Sequence, residues 1–547
     1  MIINFSLSSK FFERLNKLFD WLVSTKGILI ISIIAAISAS LYFYIHGYTV
    51  AYGDAESHLN IAKRVVQSLT PGLAQLGGIW LPLPHILMLP FVTSNFLWRS
   101  GLAGSIVSGA AFIISSVYLY KLVYLLTQNK IAAFIGAIVF ISNPNVLYLQ
   151  STPMTELSLI VFFILSSYYF VKYIQDDSKL ISLLLSAFFG FCAALSRYDG
   201  WGLVVAEAGI LTLYYFPYRK VPLRLSQIKE YWDKKTYNKL EGVLIMFCTL
   251  AFFAIIAWLM WGYLILGDPL YFTHSQFSAK SQQQSWLARG ELPAYHHIFQ
   301  SVLYYIVTAM SNAGIVIFGI ALVAFVIYLF DRNQKHRFLI AMLLLVPFVF
   351  NVATLYMGQS VIFIPHVTPV GFDWRLFNVR YGVMMIPMVA FLVGFIFSKI
   401  KLTTRWLIVG LMIVQIGLFG VGYSKIISFE DGVSGLSSAI SKSPDAQFWI
   451  AQHYDQGLVL EDDFARTISI VRTKIPMQNI IYIGNKPYWE ESLIAPEKYA
   501  TWIVMQRDDA LWRAIYDVPA IQGRLYSHFQ KVYTSPEILI FKRVANK

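Results

Sequence analysis

Residues 27–58 read GILIISIIAAISASLYFYIHGYTVAYGDAESH. The first twenty of these carry no formal charge. At about 1.5 Å per residue they are long enough to cross the roughly 30 Å hydrocarbon core of a bilayer as a helix. Asp54, Glu56 and His58 then follow directly after this run. Ionisable groups at the mouth of a membrane helix need a partner or a task, because a bare charge there costs at least a few kcal/mol.

Ten more apolar runs follow, at 101–120, 131–149, 155–172, 180–196, 201–217, 241–266, 313–330, 338–357, 381–398 and 406–423. The expected fold is therefore an all-α membrane protein of about eleven transmembrane helices. Across 547 residues the composition is 57% hydrophobic and only 13% charged, with a mean hydropathy of +0.58. That balance excludes a secreted enzyme, a cytosolic enzyme with one anchor, and a disordered chain. Cys192 and Cys248 lie within apolar runs, so neither a disulfide framework nor a cysteine metal site is available.

The formal net charge of +13 has a direction. Of 43 Lys and Arg, 21 fall in the N-terminal segment and in loops that share one face of the eleven-span scheme, including seven in 219–239. The tail from 425 carries 14 more, balanced by 14 acids. This is a positive-inside bias and not a nucleic-acid footprint. It puts the N-terminus in the cytoplasm and the C-terminus outside, in what is expected to be the cytoplasmic (plasma) membrane. Residues 1–26 set Phe11, Phe12, Leu15, Leu18, Phe19 and Trp21 among basic residues, which reads as an interfacial helix and not as a cleaved signal.

Three outer loops, 47–100, 267–297 and 358–380, interrupt the transmembrane segment 27–424. In the first, Leu59, Ala62, Val65, Val66 and Leu69 recur at helical spacing, while Lys63 and Arg64 are expected to be solvated or to touch headgroups. From 425 to 547, short runs such as GLVLE, IIYIG, TWIVM and EILIFKR alternate with helical stretches, which predicts a small extracytoplasmic α/β domain.

The charged residues placed at the outer ends of spans are few: Asp54, Glu56 and His58, then Glu156 after STPMT, then Arg197 and Asp199 in SRYDGW. Asp54 and His58 are four apart and share a helix face. Carboxylates from separate loops on one side of a membrane can pair a base for an acceptor hydroxyl with a residue that orients it. The structural alternatives are an N-cap for Asp54 or Glu156 and a local ion pair for Arg197 with Asp199.

An amphipathic first loop opening on GDAESH, a second acid in TPMTE, an inside N-terminus, eleven spans and a soluble outer tail resemble the polyprenol-dependent membrane glycosyltransferases of the C superfamily (GT-C), similar to protein O-mannosyltransferases and aminoarabinose transferases. The resemblance covers roughly residues 20–425. It implies a glycosyltransferase moving a hexosyl or pentosyl group from an isoprenoid-phosphate sugar to a protein, lipid or glycan acceptor at the outer face, with inversion. It makes Asp54 the catalytic base and Glu156 the second-loop acid. Ala55 separates Asp54 from Glu56 where the mannosyltransferase pattern has two adjacent acids, so Glu56 stands as the alternative base.

The implied leaving group is a phosphate anion, which needs cations. Arg380 at the outer end of the tenth span, with Tyr381 beside it, offers a planar fork and a hydroxyl. Arg375 is the second choice, and His274 with Lys280 the third; His366 is a further polar candidate in the third loop. A divalent metal on Asp54, His58 and Glu156 is conceivable, although no spaced motif marks it. The rival class is a transporter or flippase of lipid-linked sugars. Related halves and broken mid-membrane helices would mark that class, whereas polar residues here crowd the outer ends of spans.

Overall fold

The computed structural model describes residues 9–216, 234–442, 444–463 and 467–544. Of the basic stretch 219–239, only 234–239 falls within them. The chain divides into two compact units. The first comprises Met1–Phe43, Ser108–Ser151 and Thr155–Asp431; the second comprises Tyr44–Val107, Thr152–Met154 and Gly432–Lys547.

Six helices among the described residues are long and apolar enough to cross a membrane: Thr25–Ile45, Leu102–Thr127, Glu156–Gln175, Lys234–Leu266, Val379–Lys399 and Leu402–Gly420. Two bent pairs raise the number to as many as eight. The chain is thus a multi-pass membrane protein, but the count of eleven is not reproduced. The expected spans 131–149, 180–196 and 201–217 overlap the helices Lys130–Ile141, Leu180–Ala194 and Asp199–Tyr215, of 12, 15 and 17 residues. Each falls short of the roughly 20 residues that a bilayer core requires. In the third run the cause is local: Pro144 follows Asn143, whose Oδ1 accepts from the N–H groups of Asn145 and Val146 and starts a new short helix. The eighth run begins at a corner, because Ile298–Ala313 and Ile315–Phe330 meet at 114°.

Within the first unit, burial sorts the helices. Val379–Lys399 has 83% of its apolar window buried, and between Arg380 and Lys399 it carries no charge, as suits a helix covered on most sides. Its Gly394 faces Gly136 so closely that a Cβ at Gly394 would stand 2.8 Å from the Ala132 carbonyl, a close approach typical of membrane helices packed on small residues. Thr25–Ile45 and Leu402–Gly420 have only 17% of their windows buried, and their exposed Ile34, Ile37, Leu41, Trp406 and Ile413 suit contact with lipid.

The second unit is built on a five-stranded sheet of β1 (Val459–Glu461), β2 (Ile480–Ile481), β3 (Trp502–Gln506), β4 (Phe529–Thr534) and β5 (Ile538–Arg543). The order is β2-β1-β3-β5-β4, parallel from β2 to β3 and antiparallel beyond. Side chains alternate across it. Leu460, Ile481, Ile503, Met505 and Phe541 pack with Leu511, Ile515 and Leu525. On the other face, Val459, Ile480, Trp502, Val504 and Ile540 share a core with Leu59, Ala62, Met88 and Trp98. The first loop therefore folds as one body with the C-terminal sheet.

Candidate active site

In the first unit, three chain segments converge on one carboxylate. Glu156 is the first residue of its helix and is fully buried. The preceding Thr155 is the N-cap position, with no side-chain cap, so Glu156 does not cap this helix. Its Oε1 accepts from Arg197 Nη1 at 3.1 Å and from Arg380 Nε at 3.2 Å. Arg197 comes from the short turn between Leu180–Ala194 and Asp199–Tyr215; its Nη1 also donates to Thr155 Oγ1 at 3.0 Å, and its Nε lies 3.4 Å from Asp199 Oδ2. Arg380 sits in the 3₁₀ turn Val379–Met385, where Asn378 adopts a left-handed φ of 55° and donates from Nδ2 to the Val361 carbonyl. Its Nη1 lies 3.8 Å from Asp431 Oδ2. The Tyr381 ring centroid lies 5.1 Å from the Arg197 guanidinium carbon and 5.3 Å from that of Arg380.

Two guanidinium groups and three carboxylates are thus gathered in a largely water-excluded setting. Such a network is held by its mutual pairing, and removing one member leaves a buried charge uncompensated. Among the described residues, Glu156 Oε2 finds no hydrogen-bond partner. An unmade bond on a buried acceptor costs about 1–3 kcal/mol, so a ligand hydroxyl would be welcome there. Beside the cluster runs a small apolar cleft lined by Leu119, Leu159, Phe163, Leu344 and Met384, with Asp199 also in its wall.

Sequence reasoning named Glu156, Arg197, Asp199, Arg380 and Tyr381, and the structure brings these five together. It missed Asp431, which lies in the stretch assigned to the soluble tail, and Thr155 and Tyr305, the latter donating its hydroxyl to the Tyr381 carbonyl at 3.3 Å. Nothing in the local sequence marks them. The remaining loop candidates stand apart: Arg375, Lys280 and His366 are exposed, and His274 is exposed with Nδ1 3.4 Å from Asp268 Oδ2.

In the second unit the helix Gly53–Gln67 carries the first-loop acids. Tyr52 is its N-cap position, so Asp54 occupies the first turn and is not the cap. Asp54 is partly exposed. Glu56 Oε2 accepts from Ser469 Oγ at 2.7 Å and Oε1 from the Val471 N–H at 3.2 Å, and burial pushes its carboxyl above the usual range. His58 Nδ1 lies 2.9 Å from His85 Nε2, and burial pulls His85 down to about 4. Lys63 and Arg64 correct the expectation of solvated basic residues, because both are buried. Lys63 Nζ donates to the Val92 carbonyl and to Asn95 Oδ1, each at 2.8 Å, and burial brings it down to about 8. Arg64 pairs with Asp463 at 2.5 Å and lies 3.8 Å over the Tyr482 ring. Among the described residues, no three of His, Cys, Asp and Glu converge as a metal site.

No family model matches the chain, and no curated protein matches it in sequence. The fold is similar to that of ArnT from Cupriavidus metallidurans. The crystal structure of that protein bound to undecaprenyl phosphate aligns with a TM-score of 0.57 at 10% identity, covering 94% of this chain and 98% of that one. Its apo state aligns at 0.52 and 11% identity with the same coverage. An Archaeoglobus fulgidus oligosaccharyltransferase, in complex with zinc and sulfate, aligns at only 0.46 and 9% identity over 94% of this chain and 73% of that one, too loosely to support an argument. The fold expected from the resemblance therefore has a solved counterpart in ArnT.

Proposed function

We propose that this chain transfers a glycosyl group from an isoprenoid-phosphate donor to an acceptor at the outer face of the membrane. The observation that carries this reading is the sharing of one buried Glu156 oxygen by Arg197 and Arg380 beside an apolar cleft. The fold likeness to ArnT, whose crystal structure holds undecaprenyl phosphate, supports it. In this reading the isoprenoid lies in the apolar cleft, and Arg197 and Arg380 take the phosphate oxygens as planar donors with Tyr381 beside them. Glu156 keeps the two guanidinium groups, which repel each other, at one spacing. Asp54 is the base. Glu56, with both oxygens already accepting hydrogen bonds, is given the structural role of fastening its helix to the 469–471 segment.

The chemistry balances without a metal step. The acceptor oxygen forms a bond to the anomeric carbon as its proton passes to the carboxylate base, and the carbon–phosphate oxygen bond breaks with its electron pair leaving on the phosphate. Direct displacement inverts the anomeric centre. In this reading the N-terminus is cytoplasmic and this face lies outside, which the one-sided loop charge supports. Purified protein given radiolabelled hexosyl and pentosyl isoprenoid phosphates tests the reading. Release of the isoprenoid phosphate with label appearing in an acceptor is the expected result; no release from any such donor, with no binding of undecaprenyl phosphate, removes it.

A further inference from the structure

The helix Ile298–Ala313 ends just before Gly314, and Ile315–Phe330 leaves at 114°. So sharp a corner strands backbone groups that a continuous helix would pair, and in apolar surroundings they must find other partners. The Val316 N–H donates to Gln415 Oε1 at 3.0 Å. The Asn312 carbonyl accepts from Asn143 Nδ2 at 2.8 Å and from Asn145 Nδ2 at 3.0 Å. The corner is therefore closed by amide side chains.

The Asn312 side chain reaches further. Its Nδ2 donates to the Thr308 carbonyl at 2.9 Å and to the Val379 carbonyl at 2.7 Å, and its Oδ1 accepts from Ser428 Oγ at 2.8 Å. The Ser428 N–H in turn donates to Asn145 Oδ1 at 2.9 Å. Asn312, Asn145 and Ser428 are all fully buried. Both protons of the Asn312 amide are spent and its oxygen is occupied, which leaves the group no second orientation of equal energy. Gly382 brings the 3₁₀ turn against this group: a Cβ there would stand 2.5 Å from Asn312 Nδ2 and from the Thr308 carbonyl.

Val379 immediately precedes Arg380, and Ser428 lies one helical turn before Asp431. We propose that Asn312 is a positioning residue: by pegging Val379 and Ser428 at once, it sets where the Arg380 guanidinium stands relative to Asp431 and Glu156. The inference rests on the proposed function only in taking the ligand of that guanidinium to be the donor phosphate.

The test uses the full chain in detergent, with undecaprenyl phosphate as the probe. Hydrogen exchange over 379–385 and 427–431 reads the positioning without reference to function. Asn312→Ala is expected to speed exchange in both segments and to weaken undecaprenyl phosphate binding at least tenfold. In an Arg380→Lys background the same change is expected to add less than twofold, because one element is being lost twice. Ser428→Ala, a smaller change, is expected to move the same two segments and stands in if Asn312→Ala does not fold. Unchanged exchange in either segment, or losses that simply multiply in the double variant, overturns the proposal. Absence of undecaprenyl phosphate binding in the unsubstituted protein overturns the donor reading instead, and the exchange data then decide the positioning alone.

Discussion

Arg380 donates from Nε to Glu156 Oε1 at 3.2 Å across 224 residues of chain. Arg197 donates to the same oxygen. Two cations on one carboxylate oxygen repel each other, so the arrangement also needs further acceptors for both forks, here Thr155, Asp199 and Asp431.

Glu156→Gln keeps an acceptor oxygen and removes the charge that gathers the two guanidinium groups. Turnover and undecaprenyl phosphate binding are both expected to fall at least tenfold, because the two forks lose the group that spaces them. Steady-state rates beside equilibrium binding check this; equal turnover in the two proteins would take Glu156 out of the mechanism.

Arg380→Lys keeps a charge and loses the planar fork. Losing one charge-assisted hydrogen bond costs about 1.5–3 kcal/mol, so donor affinity or rate is expected to drop roughly ten- to hundredfold. Arg197→Lys should behave alike, since both forks serve one phosphate. Titration with undecaprenyl phosphate reads both, and indifference to both changes would dismiss the clamp.

Asp54→Asn removes proton acceptance with almost no change in size. Turnover is expected to decrease by roughly two to four orders of magnitude while undecaprenyl phosphate binds as before. Glu56→Gln should instead act on stability, through the Ser469 and Val471 contacts. Near-normal turnover in Asp54→Asn would reassign the base.

Glu461, at the end of β1, is buried, and among the described residues neither of its carboxylate oxygens is hydrogen-bonded. Burial, then the negative charges of Asp463, Glu56 and Asp462, push it well above the usual carboxylate range against the pull of Arg64. A carboxyl raised in the folded state contributes its stability below its ordinary value near 4.5, and that contribution is lost as pH rises through the folded value. Glu461→Gln is therefore expected to raise the thermal midpoint at pH 8 and to leave it unchanged near pH 4. A destabilised variant at pH 8 would contradict this.

The topology has its own check. A cysteine introduced by Glu230→Cys is expected to react with a membrane-impermeant thiol reagent only after the cytoplasmic face is opened. Labelling of intact cells at that position would invert the proposed orientation.

Hydropathy and charge asymmetry alone mark this chain as a polytopic membrane protein, because spanning a bilayer demands long uninterrupted apolar runs that leave a plain trace. The short apolar runs GLVLE, IIYIG, TWIVM and EILIFKR likewise announce strands, which the sheet contains. The candidate acids and Arg380 were legible too, since charge beside a span is rare. What the sequence left open is pairing. That Glu156 takes Arg197 and Arg380, that Asp431 joins them, and that Lys63 and Arg64 turn inward are consequences of contacts between residues far apart in the chain. The first-loop helix carries the same kind of clue: Leu59 and Ala62 announce an apolar face, but only folding shows that face buried against β1 and β3. Local periodicity reports which face of a segment must be covered; what covers it depends on the whole chain, and tertiary structure alone decided that.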